Sequence, residues 1–429
     1  MIAEVILNSN AKQLNRVFDY HIPETLLPKV TIGSRVFVPF SNRKEPEEGF
    51  VVNIKETSPY EVKDILQVNE NNYVSEEYLK LANWMAKRYF CNVSDAIKLM
   101  LPPGTTTKII GNRVKEKVAN FVYLKKDTEE IEEDIETKKV KSSKQIRALE
   151  FLKENDGILV SDLEIFADVS KAVINTLEKN GYIELIEKIV ERNPFLHKAV
   201  KESSDLVLNE EQQKAYDTIC EAMEDHLYSE FLLFGVTGSG KTEVYLQLIE
   251  KVLKEGKTSI MLVPEISLTP QTVDRFISRF GEEKIAVLHS KLSLGERFDQ
   301  WNKIKKGEAK IIIGARSAIF APVSDLGIII IDEEHDASYK SETTPRYHTK
   351  EIARYLAKEN NIPLLLGSAT PDLGSYYQTQ IGQSTLLTLT KRANQANLPT
   401  VEVVDLRHEL EQGNKSMISG KLHQAMKEN

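Results

Sequence analysis

Several things are scarce in this 429-residue chain, and each scarcity removes a class of explanation. Only two cysteines occur, Cys91 and Cys220, too few for a disulfide framework and too far apart in sequence for a metal knuckle; both read as reduced core thiols. No stretch approaches the roughly 18 consecutive apolar residues of a membrane span. The N-terminus, MIAEVILNSN, lacks a basic segment followed by an apolar run, so a cytoplasmic protein that uses no membrane is expected. Positive charge is not in surplus: 56 Lys+Arg against 64 Asp+Glu leave a net charge of −8. No protein-wide field therefore draws the chain to nucleic acid, and any such contact must come from local grooves. Internal repeats are absent as well. At this length one hydrophobic core is not enough, and two to four domains are expected.

Punctuation in the sequence suggests three of them. Residues 1–105 begin with short β-type runs (Ile2 to Leu7, Ser34 to Phe40, Gly49 to Ile54) and continue into helices. Ser75 caps one of these, with Glu76 and Glu77 at its positive end and Leu79, Ala82, Trp84 and Met85 as its apolar residues, before Pro102-Pro103-Gly104 breaks the chain. Residues 106–200 contain a charge-dense stretch, Leu124 to Lys141, that predicts a solvated linker or excursion burying little. Apolar spacing at Ile146, Leu149 and Leu152, at Leu159, Leu163 and Phe166, and at Val173, Ile174 and Leu177 then predicts three short helices, with a terminal β-ribbon over Tyr182 to Val190. That order fits a winged helix, although three helices and a hairpin are also a common packing solution without function. Residues 201–429 alternate apolar β runs with amphipathic helices, the pattern of a parallel sheet covered on both faces. The expected fold class is multidomain: a small β-rich N-terminal domain, a winged-helix domain and an α/β P-loop (RecA-like) lobe.

Three motifs in the last region carry chemistry. Gly235 to Thr242, GVTGSGKT, follows the apolar run Phe231 to Phe234 and opens a helix, so that backbone N–H groups around Gly238, Ser239 and Gly240 and the helix dipole can cradle phosphates. Lys241 would reach the β and γ phosphates of ATP, and Thr242 would offer its hydroxyl to Mg²⁺. Ile328 to Ile331 delivers Asp332-Glu333-Glu334-His335 to the carboxyl edge of a buried strand, where ligands of open α/β sheets bind. Asp332 would hold Mg²⁺ through its water shell, and Glu333 would act as general base toward the attacking water. Gly367 to Pro371, GSATP, would place small hydroxyl residues at the same edge as His335 and couple nucleotide state to DNA contact. In this order the motifs are those of the first lobe of a superfamily-2 nucleic-acid motor. In such motors a glutamine upstream of the phosphate loop reads the adenine, which nominates Gln212; the alternative for Gln212 is a capping arrangement with Asn209.

The segments LVPEISLTPQ (Leu262 to Gln271), LHS (Leu288 to Ser290), GARSAIFAP (Gly314 to Pro322), DEEHDASYK (Asp332 to Lys340), PRYHTKEIARY (Pro345 to Tyr355) and LPTVEVVDLR (Leu398 to Arg407) narrow this further. Together they resemble the PriA family of bacterial replication-restart helicases, over nearly the whole chain. The resemblance implies an ATP-dependent 3′-to-5′ DNA helicase that recognises stalled or repaired replication forks and starts reloading of the replication machinery. It implies DNA-phosphate contacts at Thr269, Arg316 and Ser317, and an aromatic-rich, DNA-sensing loop containing Tyr339, Arg346, Tyr347 and His348. It also implies a 3′-end-binding domain at the N-terminus, in which Phe18 would meet the base, Asp19 the terminal hydroxyl and Lys63 a phosphate. Ser41 stands where the family often has glycine. The expected partners are branched and single-stranded DNA, primosome components and single-strand-binding proteins, and the expected state is a monomer.

The second motor lobe, with its arginine finger, and the family's zinc-binding region have no counterpart here. An N-terminal fragment, inactive by itself, is therefore expected, with Zn²⁺ belonging only to the absent region. Two other readings remain: a non-catalytic fork-binding scaffold module, and a different DExH nucleic-acid translocase.

Overall fold

The computed structural model describes residues 1–9, 11–41, 45–69, 74–103, 118–189, 206–392 and 401–428. The expected domain boundaries near residues 105 and 200, Val190 at the end of the expected ribbon and residues 398–400 of the LPTVEVVDLR segment lie outside the described residues.

The N-terminal region builds a sheet from β1 (Ile2–Leu7), β2 (Val17–His21), β3 (Arg35–Val38), β4 (Glu47–Lys55), β5 (Lys63–Asp64) and β6 (Gln67–Asn69), in the order β5-β2-β1-β4-β3-β6. Antiparallel pairs run from β2 through β1, β4 and β3 to β6, and β5 joins β2 in parallel. Its core is the apolar set Val5, Leu7, Tyr20, Val36, Val38 and Val51. Two helices follow, α1 (Glu76–Tyr89) and α2 (Val93–Lys98). Ser75 caps α1 by accepting from the Tyr78 amide, as its position before two glutamates predicts. These helices do not close the small sheet alone. Leu81, Ala82 and Met85 of α1 join a core that also contains Ile319, Ile329 and Ile352, more than two hundred residues later in the chain. Trp84 packs on Tyr355 with ring centroids 4.8 Å apart, and the Tyr78 hydroxyl donates to the Ala321 carbonyl.

The middle region comprises β7 (Val118–Leu124), α3 (Thr128–Glu136), α4 (Ser143–Glu154), β8 (Ile158–Leu159), α5 (Val160–Phe166), α6 (Lys171–Lys179) and β9 (Ile183–Ile189). Two expectations are corrected. The charge-dense stretch is not simply a solvated linker: within it α3 buries Ile131 and Asp134. Asp134 is tolerated there because Lys139, at 2.6 Å, Lys126, at 2.9 Å, and the Tyr182 hydroxyl, at 3.1 Å, all donate to it. The two lysine hydrogen bonds hold its carboxyl down to about 2. The terminal β-ribbon is not a hairpin either, because β9 pairs antiparallel with the upstream strand β7, from Val118↔Ile189 to Leu124↔Ile183. Apolar spacing reveals a strand but not which distant strand it pairs with.

The last region opens with α7 (Glu210–Glu224) and winds through β10 (Ser229–Gly235), α8 (Lys241–Lys254), β11 (Thr258–Leu262), α9 (Pro270–Phe280), β12 (Ile285–Leu288), α10 (Leu294–Lys305), β13 (Ile311–Gly314), β14 (Leu326–Ile331), α11 (Thr349–Glu359), β15 (Pro363–Ser368), α12 (Leu373–Gln380) and β16 (Thr385–Leu389). The seven strands form a sheet of order β12-β13-β11-β14-β15-β10-β16 in which every pairing is parallel. Strand periodicity fills both faces. Ile328 and Ile330 join the core under α7, α8 and α9, whereas Ile329 and Ile331 join the one shared with α1 and α11. This explains why β14 is continuously apolar: buried on both sides, it has no solvent face to mark with polar residues. Two short helices, α13 (Leu406–Glu411) and α14 (Gly420–Glu428), follow and have no buried residues.

Candidate nucleotide and nucleic-acid sites

The phosphate loop leaves β10 at Gly235 and enters α8 at Lys241, the strand–loop–helix setting its sequence requires. Gly240 is the N-cap of α8 with φ 81°, a left-handed state that a side chain would strain. Gly238, with φ 80°, shares that state beside it. Lys241 is buried, and its Nζ donates to the Gly235 carbonyl at 2.7 Å, folded back along the loop. Thr242 is half-buried on the first turn of α8. Ser239 is 1% exposed and its Oγ has no hydrogen-bond partner among the described residues. A buried hydroxyl without a partner is costly unless a ligand satisfies it, and a loop of amides and one lysine fits an anion such as a phosphate chain.

Gln212 supplies both ends of its amide to the fold. Its Oε1 accepts from the Asn209 amide at 2.9 Å and its Nε2 donates to the Ser239 carbonyl at 2.8 Å. It thus completes a capping box and braces the phosphate loop, so the adenine role expected of it is not prepared in this geometry.

Two strands away, β14 ends in the acidic turn. Asp332 accepts from the Tyr245 hydroxyl at 3.1 Å. Burial, and then the adjacent Glu333 charge, push the Asp332 carboxyl above its ordinary value against the opposing pulls of Tyr245 and Lys241. A buried acid held in that tension suits a cation: Asp332 and the Thr242 hydroxyl are the residues here that would hold Mg²⁺. Glu333 has φ 45°, an unusual state for a non-glycine residue, costing roughly 1–2 kcal/mol. The adjoining strand β15 needs glycine at its penultimate position, because a Cβ on Gly367 would lie 1.7 Å from the Tyr245 hydroxyl oxygen. His335 Nδ1 sits 2.8 Å from Ser368 Oγ and its Nε2 sits 3.4 Å from Thr370 Oγ1, so the acidic turn and GSATP meet at one sheet edge.

The third acid of that turn, Glu334, was not singled out by the sequence and is the most tightly held. It is 1% exposed, accepts from Lys350 at 2.6 Å, from Ser375 at 2.7 Å and from the Asp372 amide at 2.7 Å. Lys350 also reaches Asp372 at 3.2 Å. The next residue on α11, Glu351, faces the N-terminal region, accepting from Arg88 at 2.6 Å and from the Tyr89 hydroxyl at 2.6 Å.

The expected DNA contacts separate into two groups. Thr269, Ser317 and Arg346 are exposed, and Thr269 caps α9 by accepting from the Thr272 amide at 3.3 Å. Tyr339 and Tyr347 are not available as stacking platforms, since they are 0% and 3% exposed. The Tyr339 hydroxyl donates to the Asp332 carbonyl at 2.7 Å, and the Tyr347 ring packs edge-on against Phe320. Half-buried His348 caps α11. Arg316 is committed as well, donating to the Ser338 carbonyl at 3.1 Å and to the Lys340 carbonyl.

In the N-terminal sheet the expected trio is dispersed. Phe18 and Asp19 are neighbours on β2 and leave it from opposite faces. Phe18 meets Phe40 edge-on at 5.3 Å, and the Arg16 guanidinium lies 5.0 Å from its ring centroid. Asp19 takes Lys55, at 2.8 Å, and Ser58, at 2.5 Å, as its partners rather than Lys63. Burial opposes its ionisation, but those two hydrogen bonds outweigh burial and hold the carboxyl below its ordinary value. Lys63 is exposed on β5 beside Tyr20. Ser41 adopts φ 53°, which explains a preference for glycine at its position.

A model of the PriA 3′ DNA-binding domain (3′BD) matches residues 4–102, and one of the type III restriction enzyme res subunit matches residues 205–373. Replication restart protein PriA of Bacillus subtilis is 37% identical over 487 residues, covering 99% of this chain and 60% of its own length. Those of Chlamydia trachomatis and Haemophilus influenzae are each 36% identical, covering 97% and 93% of this chain and 55% and 53% of their own. This chain belongs to the PriA family. It spans between 53% and 60% of the length of these PriA relatives. Among solved structures, RecG bound to a three-way DNA junction covers 45% of this chain and 24% of its own at 22% identity, with a TM-score of 0.32, too low to bear on function.

Glu334 and Lys350 stand inside segments that carry the family resemblance, and the signal for them was that neighbourhood. Tyr245, Lys55 and Ser58 had no local signal. Each acts on a carboxylate from which it is remote in sequence, 87 residues away for Tyr245 and 36 and 39 for the other two.

Proposed function

We propose that this chain is the fork-binding and ATP-binding part of an ATP-dependent 3′-to-5′ DNA helicase of the replication-restart primosome. The carrying observation is the convergence of Lys241, Asp332 and the His335–Ser368 contact at the carboxyl edge of one parallel sheet. Lys241 would turn from the Gly235 carbonyl to the nucleotide phosphates, and Asp332 with Thr242 would hold Mg²⁺, which supplies charge neutralisation at the phosphates. Glu333 would take the proton of the attacking water, and His335 would report the change to Ser368 and Thr370. The N-terminal sheet would receive a strand's 3′ end, and the α4–α6 unit with its β7–β9 sheet would act as a winged helix at the duplex. Branched and single-stranded DNA, primosome components and single-strand-binding proteins are the proposed partners, with the chain acting as a monomer.

The test is a binding comparison on forks with and without a recessed leading-strand 3′-hydroxyl, together with titration of a fluorescent ATP analogue in Mg²⁺. Preference for the free 3′-hydroxyl and Mg²⁺-dependent nucleotide binding lost in Lys241→Ala are expected. Equal affinity for both forks and no nucleotide binding would overturn the proposal.

A further inference from the structure

A cleft of about 810 Å³ opens beside the sheet edge, bounded by the loops after β12 and β13, the segment from Ala337 to Tyr347, and the end of α2. Its charged lining is Lys98, Arg297, Arg316 and Lys340 against Glu265 and Glu342, a local positive surplus in a chain of net charge −8. Not all of these cations are free to act. Arg316 is spent on two backbone carbonyls of the facing wall, Ser338 and Lys340, and its guanidinium carbon lies 5.9 Å from the Tyr347 ring centroid.

Arg297 is the reverse case. It stands on the first turn of α10, whose N-cap Ser293 forms a capping box with Glu296. Its backbone amide donates to the Ser293 carbonyl at 3.0 Å, but its side-chain Nε is buried with no acceptor among the described residues. Beside it in the lining, His289 likewise has a buried ring nitrogen, Nδ1, without a partner. Both residues are half-buried on one wall of the cleft, each with one unsatisfied nitrogen, and an oxygen-rich ligand would offset that cost if the side chains turned toward it. The positive end of α10 adds to the attraction for an anion.

From this geometry we infer that Arg297, rather than Arg316, is the arginine that grips a backbone phosphate of single-stranded DNA lying in this cleft, with His289 adding a hydrogen bond. Arg316 is a positioning residue that fixes the wall formed by Ser338 and Lys340. The inference rests on the proposed DNA-motor function and assigns a residue within it. Guanidinium suits the task because its fork of donors matches phosphate oxygens without reading sequence.

The measurement is the salt dependence of binding by the 429-residue chain to a fluorescent oligodeoxythymidylate, comparing Arg297→Gln with Arg297→Lys. Both replacements are unbranched and good helix formers, so α10 is retained. One lost phosphate contact lowers the slope of log K against log salt by about 0.7 for a single strand. Arg297→Gln should show that loss with roughly tenfold weaker binding at physiological salt, and Arg297→Lys should keep the parental slope. A parental slope in Arg297→Gln would overturn the assignment while leaving the motor reading intact. A parent chain that binds no single strand would overturn both.

Discussion

Two carboxylates, Asp19 in the N-terminal sheet and Asp332 at the edge of the parallel sheet, were both nominated from sequence as functional, yet their surroundings move them in opposite directions. Asp19 has a lysine and a hydroxyl within hydrogen-bonding distance and is held below the ordinary carboxylate value. Asp332 is pushed above it by burial and by the Glu333 charge, which outweigh the Tyr245 hydroxyl, the Lys241 charge and the Glu333 amide. The first is a satisfied group that a DNA end would have to win from Lys55. The second is an acid under strain that a cation would relieve. A nominated residue's state of satisfaction thus separates a site already closed on itself from one awaiting a ligand.

The largest effect expected is at the open site. Lys241→Ala in the full-length protein should lower DNA-stimulated ATP turnover by at least about 10²-fold, the scale of losing one donor at developing charge, while fork binding measured by anisotropy is retained. Unchanged phosphate release would show that the phosphate loop is not a catalytic one. Next comes Lys350→Met, which strands the enclosed Glu334 beside the open site. Removing one partner of a buried ion pair costs about 3–5 kcal/mol, so the urea midpoint should fall steeply; a small change would mean that Glu334 is not closed in the sense that Asp19 is.

Smaller shifts test the comparison itself. Asp19→Ala should weaken fork binding by roughly tenfold where a free 3′-hydroxyl is present, the worth of one hydrogen bond to a charged group. Equal loss on 3′-phosphorylated forks would assign Asp19 to folding alone. The smallest effect is the pH dependence of stability without Mg²⁺, and here the signs must differ. Because the folded-state value of Asp19 lies below 3.8, its stabilising contribution is full above 3.8 and disappears as pH falls through the lowered value. Asp19→Asn should therefore be less stable than the parent at neutral pH and converge on it in acid. Because that of Asp332 lies above 3.8, its contribution is full below 3.8 and is lost as pH rises through the raised value. Asp332→Asn should be the more stable protein at neutral pH. Thermal melts across that range check both, and matching signs would dissolve the distinction.

What could be read in advance follows the same division. The phosphate loop, the acidic turn and GSATP are each contiguous and each stands at a strand end, so a residue's role could be inferred from its immediate neighbours. The apolar runs of the same region are strands for the same reason, Ile285–Leu288 and Pro363–Ser368 among them. The strand Thr385–Leu389 is harder to read because it is partly exposed and two of its five residues are threonines. The nominated DNA contacts fared differently: Tyr339 and Tyr347 carry rings that serve packing as well as stacking, and only tertiary structure reveals which. Likewise Lys63 and Lys55 are both lysines near the sheet, and only the pairing of β1 with both β2 and β4 brings Lys55 to Asp19.

The helix pair α1–α2 belongs by sequence to the region matched as the 3′ domain and by packing to the parallel-sheet lobe. Cooperativity follows packing, because local unfolding proceeds in units that share buried contacts. By that principle the two helices are expected to unfold with the lobe, and a cut in the chain after the second helix would fall beside a shared core rather than at a joint. The small sheet's region thus reaches the acidic turn through that pair: Arg88 and Tyr89 at the end of α1 hold Glu351 of α11, whose neighbour Lys350 holds Glu334.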